Sequence, residues 1–204
     1  MRRRIGVGLP RDRISRRKTL EVSRIHGFDP IASTGARLLV LGTMPGKASL
    51  LANEYYAHPR NAFWRIAGEL FGFSSAAPYG ERVASLISRN VAVWDVLQLC
   101  TRESSLDSDI DEASIVPNDF SSFLFAHRKI QLIGLNGTTA ARLFDRHVAP
   151  TLRPEHAAIA RVLLPSTSPA YARLSLEQKS RSWEEILGEV TRPNEGVSVL
   201  ERHG

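Results

Sequence analysis

Residues 37–46, Arg-Leu-Leu-Val-Leu-Gly-Thr-Met-Pro-Gly, join a short apolar run to a loop that contains two glycines and a proline. An uninterrupted apolar run of this length is typical of a strand that is buried on both faces of a parallel sheet. Similar runs follow at Val91–Trp94, Ile130–Gly134 and Arg161–Leu164, and each ends in loop-forming residues. We therefore predict a sheet built on these four strands.

Helical patterns alternate with the four runs. Apolar residues recur at helical spacing in Asn61–Phe71, Asp119–Ala126, Thr138–Arg146 and Ser175–Val190, and Ser175 is a candidate N-cap. Alternating strands and helices predict an α/β fold with three layers, α/β/α, around a central, mainly parallel four-stranded sheet. In such folds, ligands bind beyond the carboxyl ends of the strands.

Length, charge and cysteine content limit the function. The 204 residues suit one domain, and the formal charge of +6 favours a polyanionic partner such as nucleic acid. The single cysteine, Cys100, excludes an intramolecular disulfide and any site built from several thiolates. No apolar run is long enough to span a membrane, and the N-terminus lacks the apolar stretch of a secretory signal. We therefore expect a cytoplasmic protein without a metal or a cofactor.

Basic residues crowd the start of the chain, where eight of the first eighteen residues are Lys or Arg. We divide the chain into a basic, flexible arm over residues 1–26, one domain over residues 27–191 and a disordered tail over residues 192–204. The arm is interpreted with equal weight as a segment that contacts DNA and as a solvated tail or a misassigned start. We expect a monomer.

Three polar loops follow predicted strands and should meet at one edge of the sheet. They begin at residues 42, 136 and 165. Gly42 and Gly46 allow a ligand to approach closely and Pro45 stiffens the turn, so main-chain N–H groups could bind a flat polar ligand. Residues 42–47 also resemble a nucleotide-binding P-loop. The spacing is one residue short, however, and Ala48 replaces the Ser or Thr that binds Mg²⁺.

The segment His58-Pro59-Arg60-Asn61-Ala62-Phe63-Trp64 places an amide beside aromatic rings at the start of a predicted helix. From the residues alone, Asn61 is best interpreted as a helix N-cap and Phe63 as a core aromatic. Asp95 and Asp107 are interpreted as caps or loop organisers. We expect no pair of acidic side chains in these loops that could act as acid and base.

Taken in order, these segments resemble a known family. Leu41-Gly42-Thr43-Met44-Pro45-Gly46, followed by Tyr55-Tyr56-Ala57-His58-Pro59-Arg60-Asn61-Ala62-Phe63-Trp64, looks like the first motif of the hypoxanthine-DNA glycosylase branch of the uracil-DNA glycosylase superfamily. Residues 93–97, 104–108, 134–137 and 164–170 continue the resemblance, which covers roughly residues 27–188. Mismatch-specific uracil-DNA glycosylases are similar relatives. Met44 stands where their turn carries a catalytic Asn, and Leu164 stands where many uracil glycosylases carry a His.

The resemblance implies a monofunctional DNA glycosylase that hydrolyses the N-glycosidic bond of deaminated bases, hypoxanthine or uracil, and leaves an abasic site. In this hypothesis Asn61 is catalytic and orients the attacking water through its side-chain carbonyl. Residues expected to bind the extruded base are Gly42, Thr43, Met44, Pro45, Tyr56, Phe63 and Asn136. Residues expected to contact DNA are Ser166, Ser168, Pro169, Ala170, Tyr171 and Arg173.

Several alternatives stay open at this stage. A catalytically idle DNA-binding protein of the same fold would account for the basic charge and the replaced Asn. Residues 171–174 are interpreted slightly more readily as a lead into the last helix than as a wedge in the emptied base stack. Xanthine and ethenocytosine are further candidate lesions, and single-stranded DNA is an alternative to the duplex. Because no lysine in the motif loops is assigned as a Schiff-base former, we expect no strand nicking.

Overall fold

The computed structural model of the protein describes residues 24–191, and their side chains as far as residue 188. Its strands are β1 Arg24–His26, β2 Leu38–Gly42, β3 Val91–Asp95, β4 Leu97–Thr101, β5 Val116–Pro117, β6 Leu132–Asn136 and β7 Ala160–Leu164. Four of them form a parallel sheet in the order β3-β2-β6-β7. The predicted central sheet is confirmed.

The middle of this sheet is shielded from solvent. Every residue of β2, β3 and β6 is buried, whereas β7 at the edge is mostly exposed or half-buried. This burial explains why β2, β3 and β6 are nearly continuous apolar runs rather than alternating patterns. Strand β6, predicted at residues 130–134, begins two residues later, at Leu132, and ends at Asn136. That shift puts the Asn136 amide at the carboxyl end of the strand.

Helices flank the sheet in two groups. They are α1 Lys47–Ala52, α2 Phe63–Phe71, α3 Tyr79–Ser88, α4 Phe120–Ala126, α5 Thr138–Leu143, α6 Pro154–Ala157 and α7 Leu176–Thr191. Helix α2 packs on α7 through Phe63 and Trp183 and on α3 through Trp64 and Tyr79. Helix α4 packs on the sheet through Phe120, which contacts the ring of Trp94. The three-layer α/β/α prediction is confirmed.

The helix boundaries differ from the predictions in ways that local chemistry explains. Helix α2 begins at Phe63 rather than Asn61, and α5 changes at Phe144 into a π-helical turn that runs to Val148. At the start of α7, Ser175 Oγ accepts the N–H of Gln178, and Gln178 Oε1 accepts the N–H of Ser175. This reciprocal capping box satisfies free N–H groups and confirms Ser175 as a cap.

A second, antiparallel sheet of three strands in the order β1-β4-β5 lies beside the first and was not predicted. Arg24–His26 pair with Leu99–Thr101 in this sheet. The prediction that the whole of residues 1–26 is a flexible arm is therefore wrong for its last three residues. The rest of the predicted arm, residues 1–23, and the predicted tail, residues 192–204, lie outside the described residues.

Across residues 24–191, none of the helices combines the length and the apolar character that a membrane crossing requires.

Candidate active site

The carboxyl ends of the parallel strands place four segments around one cleft. Gly42 at the end of β2 is in register with Asp95 at the end of β3, and Asn136 ends the neighbouring strand β6. The loops after β2 and β7 close the other sides. The enclosed space, which we call the cleft, has a volume of about 610 Å³. A cavity of this size is in the range of small-molecule sites.

Gly42 forms part of the floor of the cleft, and a residue with a side chain would not fit there. A Cβ at this position would lie 2.4 Å from Asp95 Oδ1 and 3.0 Å from the hydroxyl oxygen of Tyr56. Tyr56 reaches over the glycine from a left-handed backbone conformation, with a φ of 55°. Such a conformation costs a non-glycine residue on the order of 1 kcal/mol. The surrounding packing must therefore hold Tyr56 in place.

Tyr56 and Phe63, both predicted to bind the base and one of them to stack on it, have different positions. Their rings stack on each other with centroids 4.0 Å apart, and the Tyr56 side lines the cleft. Phe63 is 1% exposed and lies behind Tyr56, where it also contacts Trp183. The prediction that Phe63 contacts the base is wrong in this structure. Phe63 supports the Tyr56 ring that can do so.

Asn136 is fixed by a pair of hydrogen bonds to Thr167. Its Oδ1 accepts the N–H of Thr167 and its Nδ2 donates to Thr167 Oγ1, both at 2.9 Å. The same Nδ2 lies 3.3 Å from the hydroxyl oxygen of Tyr56. The amide therefore joins the loop after β7 to the floor of the cleft. Thr167, which is 1% exposed, is a site residue that sequence reasoning did not assign.

Asn61, the predicted catalytic residue, lies at the rim of the cleft. Its Oδ1 accepts the N–H of Phe63 at 3.0 Å. This N–H lies in the first turn of α2, where main-chain N–H groups have no partner within the helix. Asn61 itself is half-buried. A carbonyl oxygen has two lone pairs, so one stays available to a water molecule. The next residue, Ala62, donates its N–H to the carbonyl of Thr167 at 2.9 Å. The cap and the catalytic interpretations of Asn61 are therefore geometrically compatible.

The loop after β7 brings most of the predicted DNA-contacting residues to the cleft. Those that line it are Ser166, Ser168, Pro169, Ala170 and Tyr171, whereas Arg173 is exposed outside it. Lys179 of α7 is 5% exposed and donates from Nζ to the carbonyl of Tyr171 at 2.7 Å and to that of Ser168 at 3.4 Å. Burial lowers the pKa of this ammonium group. Lys179 therefore stabilises the conformation of the loop after β7 through these two hydrogen bonds.

An acidic pair in the cleft contradicts the sequence prediction that no such pair is present. Asp95 and Asp107 both line the cleft, and Arg102 joins Asp107 to the loop after β2. Arg102 donates to the carbonyl of Pro45 and lies 3.6 Å from Asp107 Oδ1. Asp107 also hydrogen-bonds Thr43, a predicted base-binding residue. The interpretation of Asp95 and Asp107 as caps or loop organisers is therefore incomplete.

Burial dominates the ionisation of this acidic pair. It raises the pKa of Asp95 from 3.8 to about 7, the negative charge of Asp107 adds to the rise, and the Arg102 guanidinium opposes it. Burial also raises the pKa of Asp107, while hydrogen bonding to Thr43 and the charge of Arg102 lower it. Buried groups with pKa values near neutrality are typical of functional sites.

The cleft does not suit the nucleotide-phosphate alternative. A negative charge on Asp107 would repel a phosphate, and the main-chain N–H of Lys47 already donates to Ser105 Oγ at 3.1 Å. Lys47 does line the cleft, and the absence of a Schiff-base-forming lysine in these loops stays a prediction. In residues 24–191, no three His, Cys, Asp or Glu side chains are grouped as metal ligands would be.

Comparisons with known proteins agree with this geometry. A family model described as the uracil DNA glycosylase superfamily matches residues 30–189. A hypoxanthine DNA glycosylase of Methanosarcina acetivorans is 32% identical over 163 residues, which span 79% of this chain and 97% of the relative. A second protein of that name, from Methanosarcina barkeri, is 32% identical over 55% of this chain and 70% of its own length. The solution NMR structure of a candidate uracil DNA glycosylase from Methanosarcina acetivorans superposes with a TM-score of 0.69, at 30% identity, over 83% of this chain and 100% of the other.

Proposed function

Because this chain belongs to the uracil-DNA glycosylase superfamily, we propose that it is a monofunctional DNA glycosylase that removes deaminated bases, hypoxanthine first and uracil second, and leaves an abasic site. Hypoxanthine comes first because two relatives carry the name hypoxanthine DNA glycosylase. The observation that carries the proposal is the convergence of Asn61, Asn136, Tyr56 and the loops after β2 and β7 on one cleft. The partner is DNA, and its duplex form is the one we expect.

A base extruded from the duplex would enter the cleft over Gly42. The ring of Tyr56, supported by Phe63, provides a flat surface on which a base can stack. Thr43 and Met44 line the cleft, and their proposed role is to offer polar main-chain groups to the base edge. The Asn136 amide hydrogen-bonds Thr167 and Tyr56, so its proposed contribution is to fix the shape of the pocket as well as to contact the base. Mismatched pairs cost less to open, which favours deaminated bases before any contact is made.

Hydrolysis in this site requires a positioned water rather than a strong base. A breaking N-glycosidic bond leaves positive charge on the sugar, which a poorly activated water can attack. The free lone pair of Asn61 Oδ1 can orient that water, while its bond to Phe63 N–H holds the amide still. An amide has no useful basicity near neutral pH, so the role of Asn61 is geometric.

DNA binding rests on the loop after β7 and on positive charge. Ser166 Oγ accepts the N–H of Ser168, and Ser168 Oγ accepts the N–H of Ala170, so the loop is ordered before DNA arrives. Exposed N–H and hydroxyl groups on such a loop suit flanking phosphates. Lys47 and Arg60 at the cleft and the net charge of +6 add a term that depends on salt.

An excision assay tests the proposal. End-labelled duplexes that carry hypoxanthine, uracil or xanthine opposite each normal base are incubated with the protein in EDTA and then split into samples with and without alkali. We expect strand breaks only after alkali, with hypoxanthine processed fastest, and no covalent complex after borohydride trapping. Breaks without alkali together with trapping abolished by Lys47→Gln would overturn the monofunctional assignment.

Intact strands would point to the alternative of an idle DNA-binding protein. In that case binding should be tight and salt-sensitive while no base is released. A cytoplasmic location and a monomeric state stay predictions, and size-exclusion chromatography coupled to light scattering measures the latter.

A further inference from the structure

Asp95 is a buried carboxyl group whose hydrogen-bonding capacity is not satisfied. It is 3% exposed and ends β3 beside Gly42, and its Oδ2 has no hydrogen-bond partner among residues 24–191. An ionised carboxylate in such a position lowers the stability of the fold. Its other oxygen, Oδ1, lies over Gly42 on the floor of the cleft. This combination of cost and position marks a group that acts on the ligand.

The charged and titratable groups around Asp95 favour its protonated form. Asp107 faces it with a like charge, and Arg102 opposes that charge but is partly engaged with Pro45 and Asp107. Tyr56 and Tyr55 face it from the loop after α1, and burial raises the pKa of both phenols well above the ordinary range, so they stay neutral. Burial, the largest effect, raises the pKa of Asp95 to about 7. At neutral pH a large share of the molecules therefore carries a proton on Asp95.

The other side chains at this edge of the sheet are less suited to giving up a proton. The Asn136 amide is engaged with Thr167 and Tyr56, and Leu164, at the end of β7, is apolar, fully buried and not part of the cleft lining. His58 lies in the rim segment, where its Nδ1 accepts the N–H of Arg60. A leaving purine gains from protonation because it then departs as a neutral base. The floor of the cleft provides that proton most directly from Asp95.

We propose that Asp95 is a catalytic acid of this site, and that its carboxyl group donates a proton to N7 of an extruded hypoxanthine while the bond between C1′ and N9 breaks. This inference rests on the proposed function. The electron pair of the broken bond stays with the purine, which leaves as neutral hypoxanthine protonated at N7. Water positioned by Asn61 bonds to C1′ and releases a proton to solvent, and the Asp95 carboxylate takes up a proton before the next turnover. General acids of this kind typically contribute about 10²- to 10⁴-fold in rate.

The test is a set of single-turnover rates for wild type and Asp95→Asn on duplexes that contain 2′-deoxyinosine or its 7-deaza analogue, which has carbon in place of N7. We expect Asp95→Asn and the 7-deaza substitution each to slow excision by about 100-fold or more, and the two together to be little slower than either alone. A multiplicative loss would show that Asp95 and N7 act independently and would overturn the inference.

The pH profile provides a second readout that a merely structural role would not change. The wild-type rate should fall as pH rises through about 7, because the acid must be protonated, and the Asp95→Asn profile should be flat. His58→Gln is the matched control and should keep the wild-type shape. A wild-type rate that rises with pH would mean that the carboxylate form is active and would contradict the inference. If wild type releases no hypoxanthine at all, the proposed function itself fails, whereas release with normal pH dependence in Asp95→Asn refutes only the acid.

Discussion

Replacing Asp95 by asparagine should change the pH dependence of folding stability in a direction that the buried carboxyl group determines. The folded protein raises the pKa of Asp95 from 3.8 to about 7, so the folded state binds the proton more tightly than the unfolded state does. Stability from this group is then fully present below about pH 4 and is lost as pH rises through about 7. A rise of roughly three pKa units corresponds to about 4 kcal/mol, of which about 3 kcal/mol falls between pH 5 and pH 8.

The assay is urea unfolding of wild type and Asp95→Asn at about pH 5 and about pH 8, followed by far-ultraviolet circular dichroism. The free energy of unfolding of wild type relative to the variant should be about 3 kcal/mol lower at the higher pH. Asp145→Asn is the control, because Asp145 is 63% exposed in a surface pair with Arg161 and should show almost no such change. An equal difference between wild type and Asp95→Asn at both pH values would refute the account of a buried, largely protonated carboxyl group.

Three further predictions address the site around Asp95. Gly42→Ala should lower the excision rate by about 100-fold or more while the protein stays folded, because the new Cβ would lie 2.4 Å from Asp95 Oδ1 and 3.0 Å from the hydroxyl oxygen of Tyr56. Single-turnover kinetics measure the rate and circular dichroism checks the fold, and a normal rate would contradict the close approach of these atoms to Gly42. Lys179→Met should weaken binding to a lesion duplex by about 10-fold, because it removes the hydrogen bond from Lys179 Nζ to the Tyr171 carbonyl. Fluorescence anisotropy measures the affinity, and an unchanged value would mean that the loop after β7 keeps its shape without Lys179. EDTA should leave the excision rate unchanged, whereas loss of activity that Mg²⁺ restores would favour a metal-dependent reaction.

The central sheet was predictable because its buried strands are apolar almost throughout and are closed by glycine, proline or polar residues. Leu38–Gly42 and Val91–Asp95 have this form, and burial on both faces requires it. Asn136 was also predictable as a site residue, since it directly follows such a run. The second sheet was not, because β4 follows β3 after a single residue, Val96, and pairs with residues 24–26, which are distant in sequence. Non-local antiparallel pairing leaves little periodic signal in strands this short.

The assignment of individual site residues depended on details that periodicity does not carry. Tyr56 and Phe63 are both aromatic and close in sequence, and the left-handed backbone of Tyr56 decides that its ring, rather than that of Phe63, lines the cleft. Asp95 carried a signal that could have been used, namely a charged residue directly after the apolar run Val91–Trp94. The partner of Asp107, Arg102, shows no local pattern that would predict its burial.

Direct detection of the released base tests the central claim. A duplex with one deoxyinosine is incubated with wild type, with Asn61→Ala and with Asn53→Gly, whose side chain is exposed outside the cleft in a left-handed turn. Free base is then measured by liquid chromatography and mass spectrometry. The account predicts stoichiometric release of hypoxanthine by wild type and Asn53→Gly, and a loss of about 100-fold or more in Asn61→Ala. Bound duplex without free hypoxanthine in the wild-type sample would contradict it.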